Sequence, residues 1–229
     1  NMADALPFTY RAMGADDLAG VVAVQTAAYP AHFLEDGVWL AARREAWPAG
    51  GHVATRPAST LAAVHDGVLP PWARPQRTAD PATGGDGSEE VVVGYMQYHP
   101  WPAAMEGEPP HLADGDAARH IAAAAAAGAG QLLFIHEISV ALQGRGVGSV
   151  FMNAAVAAAR DGGYRRALLA AALGDEARWA KFGFRRVAVV EGGYAVDPDG
   201  SAPPADAPDV VMARDFNVEG AAASGGGAS

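Results

Sequence analysis

The chain has no cysteine among its 229 residues. That absence excludes disulfides, thiolate metal sites and a cysteine nucleophile. Long apolar runs are missing too. No stretch is long enough to span a bilayer, and the first residues lack the basic flank and apolar run of a secretory signal. A soluble, cytoplasmic protein is therefore expected, with Asn1, ahead of Met2, left out of the reading. Basic residues are scarce, 16 against 26 acidic ones, for a formal net charge of -10. An acidic chain suits small cationic molecules better than nucleic acid. The seven histidines show no metal-ligand spacing, so no metal is expected.

What remains is rich in apolar residues, 50% of the chain, and in glycine, 28 residues. This is enough for one core. "FTYRAM" (8–13) reads as a strand and "ADDLAGVVAVQTAAYP" (15–30) as a helix with acidic residues in its first turn. "LEDGVWLAARREAWPAGG" (34–51) has apolar residues at roughly helical spacing. "HVATR" (52–56) and "EEVVVGYMQYH" (89–99) read as strands. Between them, 57–90 is a Pro- and Gly-rich loop insertion, with an extra strand at "STLAAVHDG" (59–67). Residues 100–118 form another loop, and "DAARHIAAAAAAGAG" (116–130) is an alanine-rich helix stopped by glycine.

The second half alternates more clearly. "QLLFIHEISV" (131–140) is a strand, "GSVFMNAAVAAARDGG" (148–163) an amphipathic helix, and "YRRALLAAA" (164–172) a strand. "GDEARWAKFGF" (174–184) is a short helix, and "RRVAVV" (185–190) and "PDVVMARDF" (208–216) are strands. The order is that of an α/β fold with at least one βαβ unit. The domain spans 2–217, and 218–229 has the composition of a flexible tail.

Between strand 131–140 and its helix lies "VALQGRGVGSVF" (140–151). A glycine-rich turn opening a helix presents unpaired N–H groups at the positive end of the helix dipole, a site for an anion and most often a phosphate. It is not a P-loop, which needs Lys and Ser or Thr after the last glycine, where Ser149 and Val150 stand. Nor is it a dinucleotide fingerprint, which would need glycine at Ser149. The stretch resembles the acetyl-CoA pyrophosphate loop of the GNAT N-acetyltransferases, Q/R-x-x-G-x-G/A, at Gln143, Gly146 and Gly148. "FIHEISV", "QGRGVG", "RRALLAAA" and "RWAKFGF" come in the order and spacing of that family.

The resemblance implies the GNAT acyl-CoA N-acyltransferase fold. That is a mixed, twisted sheet of about seven strands with a splayed central pair, flanked by four or five helices. It implies acetyl-CoA as cosubstrate, held by Ile138, Ser139 and Val140 along the pantetheine arm. The pyrophosphate would lie on Gln143, Gly144, Arg145, Gly146, Val147, Gly148 and Ser149, with Phe182 nearby. "AAYPAHFLED", "GYMQYHPW" and "FIHEISV" are similar to the bacterial relatives of arylalkylamine (serotonin-type) N-acetyltransferases. From that branch His136 takes the role of proton acceptor, a task suited to imidazole.

In that branch a second histidine falls at Phe134, so a two-histidine relay is not expected. Alternation puts Phe134, His136, Ile138 and Val140 on one face and Glu137 on the other. Trp179 stands where many relatives carry a tyrosine near the CoA sulfur, and an indole N–H donates a hydrogen bond but is no acid at neutral pH. Tyr29, Phe33, Tyr98 and Trp101 are expected around the acceptor amine, and Glu35 and Asp36 are acidic residues at a helix start. The leading expectation is acetyl transfer to a primary amine of a small molecule, by a monomer or homodimer. The alternatives are acetylation of a protein N-terminus or lysine, and a non-catalytic acyl-CoA-binding module.

Overall fold

The computed structural model describes residues 8–63, 65–77, 89–106, 116–128, 132–172, 174–190 and 209–216. The strands are β1 (Thr9–Ala12), β2 (Gly51–Pro57), β3 (Pro75–Arg77), β4 (Glu89–Trp101), β5 (Leu132–Val140), β6 (Arg166–Ala171), β7 (Arg185–Val189) and β8 (Val210–Asp215). The helices are α1 (Leu18–Ala28), α2 (Gly37–Ala46), α3 (Ala58–Ala63), α4 (Ala117–Ala127), α5 (Val147–Asp161) and α6 (Glu176–Ala180). The strands form one sheet in the order β1-β2-β4-β5-β6-β8-β7, with β3 also paired to β4. Every neighbouring pair is antiparallel except β5 and β6. That parallel pair needs a crossover, which α5 supplies.

Helices cover both faces. α1 and α2 pack over one face around Val21, Val24, Leu40, Val53 and Tyr95. α4 extends that cover with Ile121 against Trp101, Phe134 and Leu168. α5 covers the opposite face, setting Val147, Phe151, Met152 and Ala155 on Leu133, Ile135 and Leu169. Their spacing gives one apolar stripe along α5, which is why this segment folds as a helix against a sheet.

Some expectations shift. "STLAAVHDG" is not a strand: Ala58–Ala63 is a helix whose Leu61 is fully buried. Alanine and leucine favour the helix, and one buried side chain in six leaves no alternation for a strand to use. The extra strand of this insertion is Pro75–Arg77 instead. Residues 78–88 of the insertion, 107–115 of the second loop and the tail 218–229 lie outside the described residues. Among the described residues, no helix is long and apolar enough to cross a membrane, and no cluster of His, Asp or Glu is placed to hold a metal.

Two irregularities of the sheet create room and chemistry at its centre. β5 pairs with β6 over three rungs only, Leu133 to Ile135 against Ala167 to Leu169. Beyond Ile135 the two strands part. The second irregularity is a β-bulge: Gln97 opposes Glu137 and Tyr98 opposes Ile135, so His136 is an extra residue with no partner across the ladder.

Candidate active site

The parted strands enclose a cavity of about 70 Å³. Ile135, His136, Glu137 and Ile138 line it from β5, and Leu169, Ala170 and Ala172 from β6 and the residue beyond it. Tyr29 and Phe33 close it on the α1 side, Met152 comes from α5, and Asp175 and Trp179 close the far end. A groove of about 600 Å³ continues past Tyr29 and Trp179. Its walls are Ile138, Ser139 and Val140, the whole run Leu142 to Ser149, and Arg178, Lys181 and Phe182. Every residue expected to hold the cofactor lines this one groove.

Local backbone explains the loop. Gly144 and Gly146 adopt φ of 74° and 81°, a region closed to most side chains, while neither has a heavy atom within 4 Å of a hypothetical Cβ. The glycines are needed for conformation, not for space inside the protein. Gly146 caps α5 without any side-chain hydrogen bond, and the first N–H groups of a helix have no partner within it. They open onto the groove, and Arg145, Arg178 and Lys181 add positive charge there. Asp175 lines the same groove, 3.4 Å from Arg178, so part of that charge is offset. Trp179 stands where groove and cavity meet, and among the described residues its buried indole N–H has no acceptor.

Behind the cavity wall lies a buried polar cluster. β4 contributes Tyr95, Gln97, His99 and Trp101, alternate residues on the face toward α1, α2 and α4. His99 Nε2 is 3.3 Å from His136 Nδ1, and His136 Nε2 is 3.0 Å from Glu35 Oε1. Glu35 also bonds the Arg43 guanidinium, whose Nε donates to Gln97 Oε1 at 3.1 Å. Gln97 in turn donates to the Leu40 carbonyl at 3.0 Å. Burial would raise the Glu35 pKa, but His136 and Arg43 outweigh it and hold the group below the usual carboxylate range. Burial and the nearby His136 push His99 well below the usual imidazole value.

Glu137 behaves oppositely. Burial first, and the charge of Glu35 second, push it up to about 8. The Tyr95 hydroxyl and the Gln25 amide nitrogen stand close enough to lower that value in part, though among the described residues neither they nor Glu137 Oε2 makes a hydrogen bond of full geometry.

Three expectations are corrected by this geometry. A second histidine is available after all, His99, reaching across from the neighbouring strand. The shared face of Phe134, His136, Ile138 and Val140 does not exist. Phe134 packs with α4, whereas Ile138 and Val140 pack with Leu133 and Ile135 on the α5 side, because the bulge at His136 reverses the alternation. For the same reason Glu137 is not turned away from His136, and both interact with Glu35. Tyr98 and Trp101 do not line the cavity. The Tyr98 hydroxyl donates to the Ala49 carbonyl at 3.0 Å, and Trp101 is fully buried with its indole donating to Met105. Asp36 caps α2, accepting from Val38 N at 2.9 Å.

No protein-family description and no curated protein matches this sequence. Solved structures do. The loading GNATL domain of CurA from Lyngbya majuscula is similar over 92% of this chain and 98% of its own, at TM-score 0.61 and 10% identity. Naa50 from Arabidopsis thaliana, in complex with the bisubstrate analogue CoA-Ac-MVNAL, is similar over 92% and 100%, at 0.53 and 12%. The ribosomal-protein-S18-alanine N-acetyltransferase from Escherichia coli is similar over 94% and 98%, at 0.52 and 11%. With its mixed sheet, parted β5 and β6 and glycine-rich entry to α5, the chain has the GNAT fold.

Proposed function

We propose that this protein transfers the acetyl group of acetyl-CoA to a primary amine of a small molecule, directly and without an acyl-enzyme. The observation that carries the reading is the continuity of groove and cavity: an uncapped helix start flanked by cations leads past Trp179 to a narrow, partly apolar space walled by titratable groups. In this reading the pyrophosphate rests on the amides after Gly144, and the pantetheine runs along Ile138 to Val140. The thioester then reaches the mouth of the cavity. The amine lone pair attacks the carbonyl carbon, the N–C bond forms, the C–S bond breaks and the electron pair leaves on sulfur.

The amine proton passes to a group in the β5 wall, where His136 and Glu137 stand together. Trp179 donates a hydrogen bond toward the departing sulfur but no proton. Tyr29 and Phe33, with ring centroids 6.2 Å apart, suit an aromatic or hydrophobic amine such as an arylalkylamine.

Purified protein, acetyl-CoA and a panel of arylalkylamines, polyamines, amino acids and short peptides test the reading, with release of CoA as the signal. Turnover on a small amine is expected, and His136→Gln, which removes the imidazole from the cavity wall, should lower kcat/KM by about two to four decades. Turnover on peptides alone would move the acceptor to a protein N-terminus or lysine. CoA binding without turnover on any amine would overturn the enzymatic reading.

A further inference from the structure

The two buried histidines can be counted in protons. His99 Nδ1 lies 3.2 Å from the Pro100 carbonyl, His99 Nε2 lies 3.3 Å from His136 Nδ1, and His136 Nε2 lies 3.0 Å from Glu35 Oε1. A carbonyl oxygen only accepts. Glu35, bonded to Arg43 through its other oxygen, is a carboxylate and likewise only accepts. The line therefore begins and ends on acceptors. Each of its three contacts requires one proton, and two neutral imidazoles bring one proton each.

We infer that this pair carries a third proton, so that His136 stands in the cavity wall as an imidazolium, with Glu35 and His99 as the residues that position it. The charge falls on His136 because it touches the carboxylate, whereas His99 is fully enclosed, bonds no carboxylate and is repelled by Arg43. Other titratable groups around the pair are Glu137 on β5, whose charge would favour the cation, and Tyr95 on β4, a phenol that burial keeps protonated. The inference rests on the acyl-transfer reading only for its consequence. An imidazolium with both nitrogens engaged has no lone pair for the amine proton. In the transfer step that proton goes to Glu137 in its carboxylate form, a minority at neutral pH that grows as pH rises toward about 8, and the group becomes a carboxylic acid. His136 instead places a fixed positive charge beside the carbonyl oxygen as the electron pair moves onto it.

Nitrogen-15 spectra of the histidine rings in the intact protein test the count without any turnover. His136 is expected to show two protonated nitrogens across about pH 6 to 8, where a free imidazole loses its charge. His99 is expected to show one protonated and one bare nitrogen. A bare nitrogen on His136 at neutral pH would overturn the inference. His99→Gln keeps an acceptor in its amide oxygen and should leave His136 doubly protonated. His99→Phe removes the acceptor and should return His136 to ordinary titration. If both variants, checked for folded spectra, leave His136 alike, His99 does not position the proton and the inference fails. A protein with the doubly protonated ring but no acetyl transfer would retain the proton count and lose the proposed function.

Discussion

One inserted residue decides the chemistry of the β5 wall. Without the bulge at His136, the alternation of a regular strand would turn His136 and Glu137 to opposite faces, and only one would meet Glu35. This is also why the site is half legible in the sequence. His136 can be found from its place ahead of the glycine-rich turn, but a bulge leaves no mark in a run such as "FIHEISV". His99 is hidden for another reason: its partner lies 37 positions away. Its signal is the row Tyr95, Gln97, His99 at period two, polar-tipped residues inside an otherwise apolar strand.

The Glu137 carboxyl makes a testable demand on stability. Its folded pKa of about 8 lies above the value of an exposed glutamate. The unfolded chain therefore releases this proton first, and stability falls as pH rises from about 4.5 to about 8, then levels off. Glu137→Gln removes the ionisation. Melting temperatures of the variant and the parent should coincide at acidic pH and diverge through that window, with the variant higher; a constant difference would contradict the assignment. Arg56 makes a second demand. It is fully buried, among the described residues none of its side-chain nitrogens has a hydrogen-bond partner, and burial and the charge of Arg145 lower its pKa. Arg56→Met should stabilise the protein, on the order of 1 kcal/mol, because an unpaired buried cation is replaced by an apolar chain of similar reach. A drop in melting temperature would show that the guanidinium has a counter-charge.

Among the elements, α5 and its loop are the most readable, since glycine spacing and apolar periodicity are both local. The structure separates the glycines, however. Gly146 needs its positive φ, whereas Gly148 has an ordinary φ and only Val140 within 4 Å of a Cβ, at 3.8 Å. Gly146→Val should therefore lose stability, about 1–2 kcal/mol, and acetyl-CoA affinity together. Gly148→Val should weaken acetyl-CoA binding by about tenfold or more with a smaller change in stability, because its side chain obstructs only the ligand. Calorimetry beside thermal melts distinguishes the two. Equal affinity in Gly148→Val and the parent would remove the ligand from that turn. The insertion is the least readable element. Alanine-rich segments satisfy helix and strand patterns alike over six residues, and α3 is settled by where Leu61 finds a core.

For the whole molecule, the alternation of strands and helices is enough to give a βαβ unit, and so a parallel pair and its crossover, whereas the mixed sheet is expected from the resemblance. The parting of β5 from β6 is expected from the resemblance alone, since no residue pattern announces where a ladder stops. That three-rung seam has a mechanical meaning. Among the described residues, backbone hydrogen bonding between the half of the sheet built from β1 to β5 and the half built from β6 to β8 is confined to it. Past Ile135 no described strand continues the pairing on the β6-facing edge of β5, although the Tyr29 hydroxyl donates to the Ile138 carbonyl at 3.3 Å. An acyl-CoA arm laid along that selvedge would act as the missing thread. Amide hydrogens of 137–140 on that edge should exchange fast in the free protein and slow with acetyl-CoA, while 3′-phospho-ADP, which lacks the arm, should slow only the first turn of α5. Unaltered exchange along the strand with acetyl-CoA bound would place the arm elsewhere. On this view the free protein is a cloth with an unfinished weave, and an acyl-CoA bound there would complete the fabric.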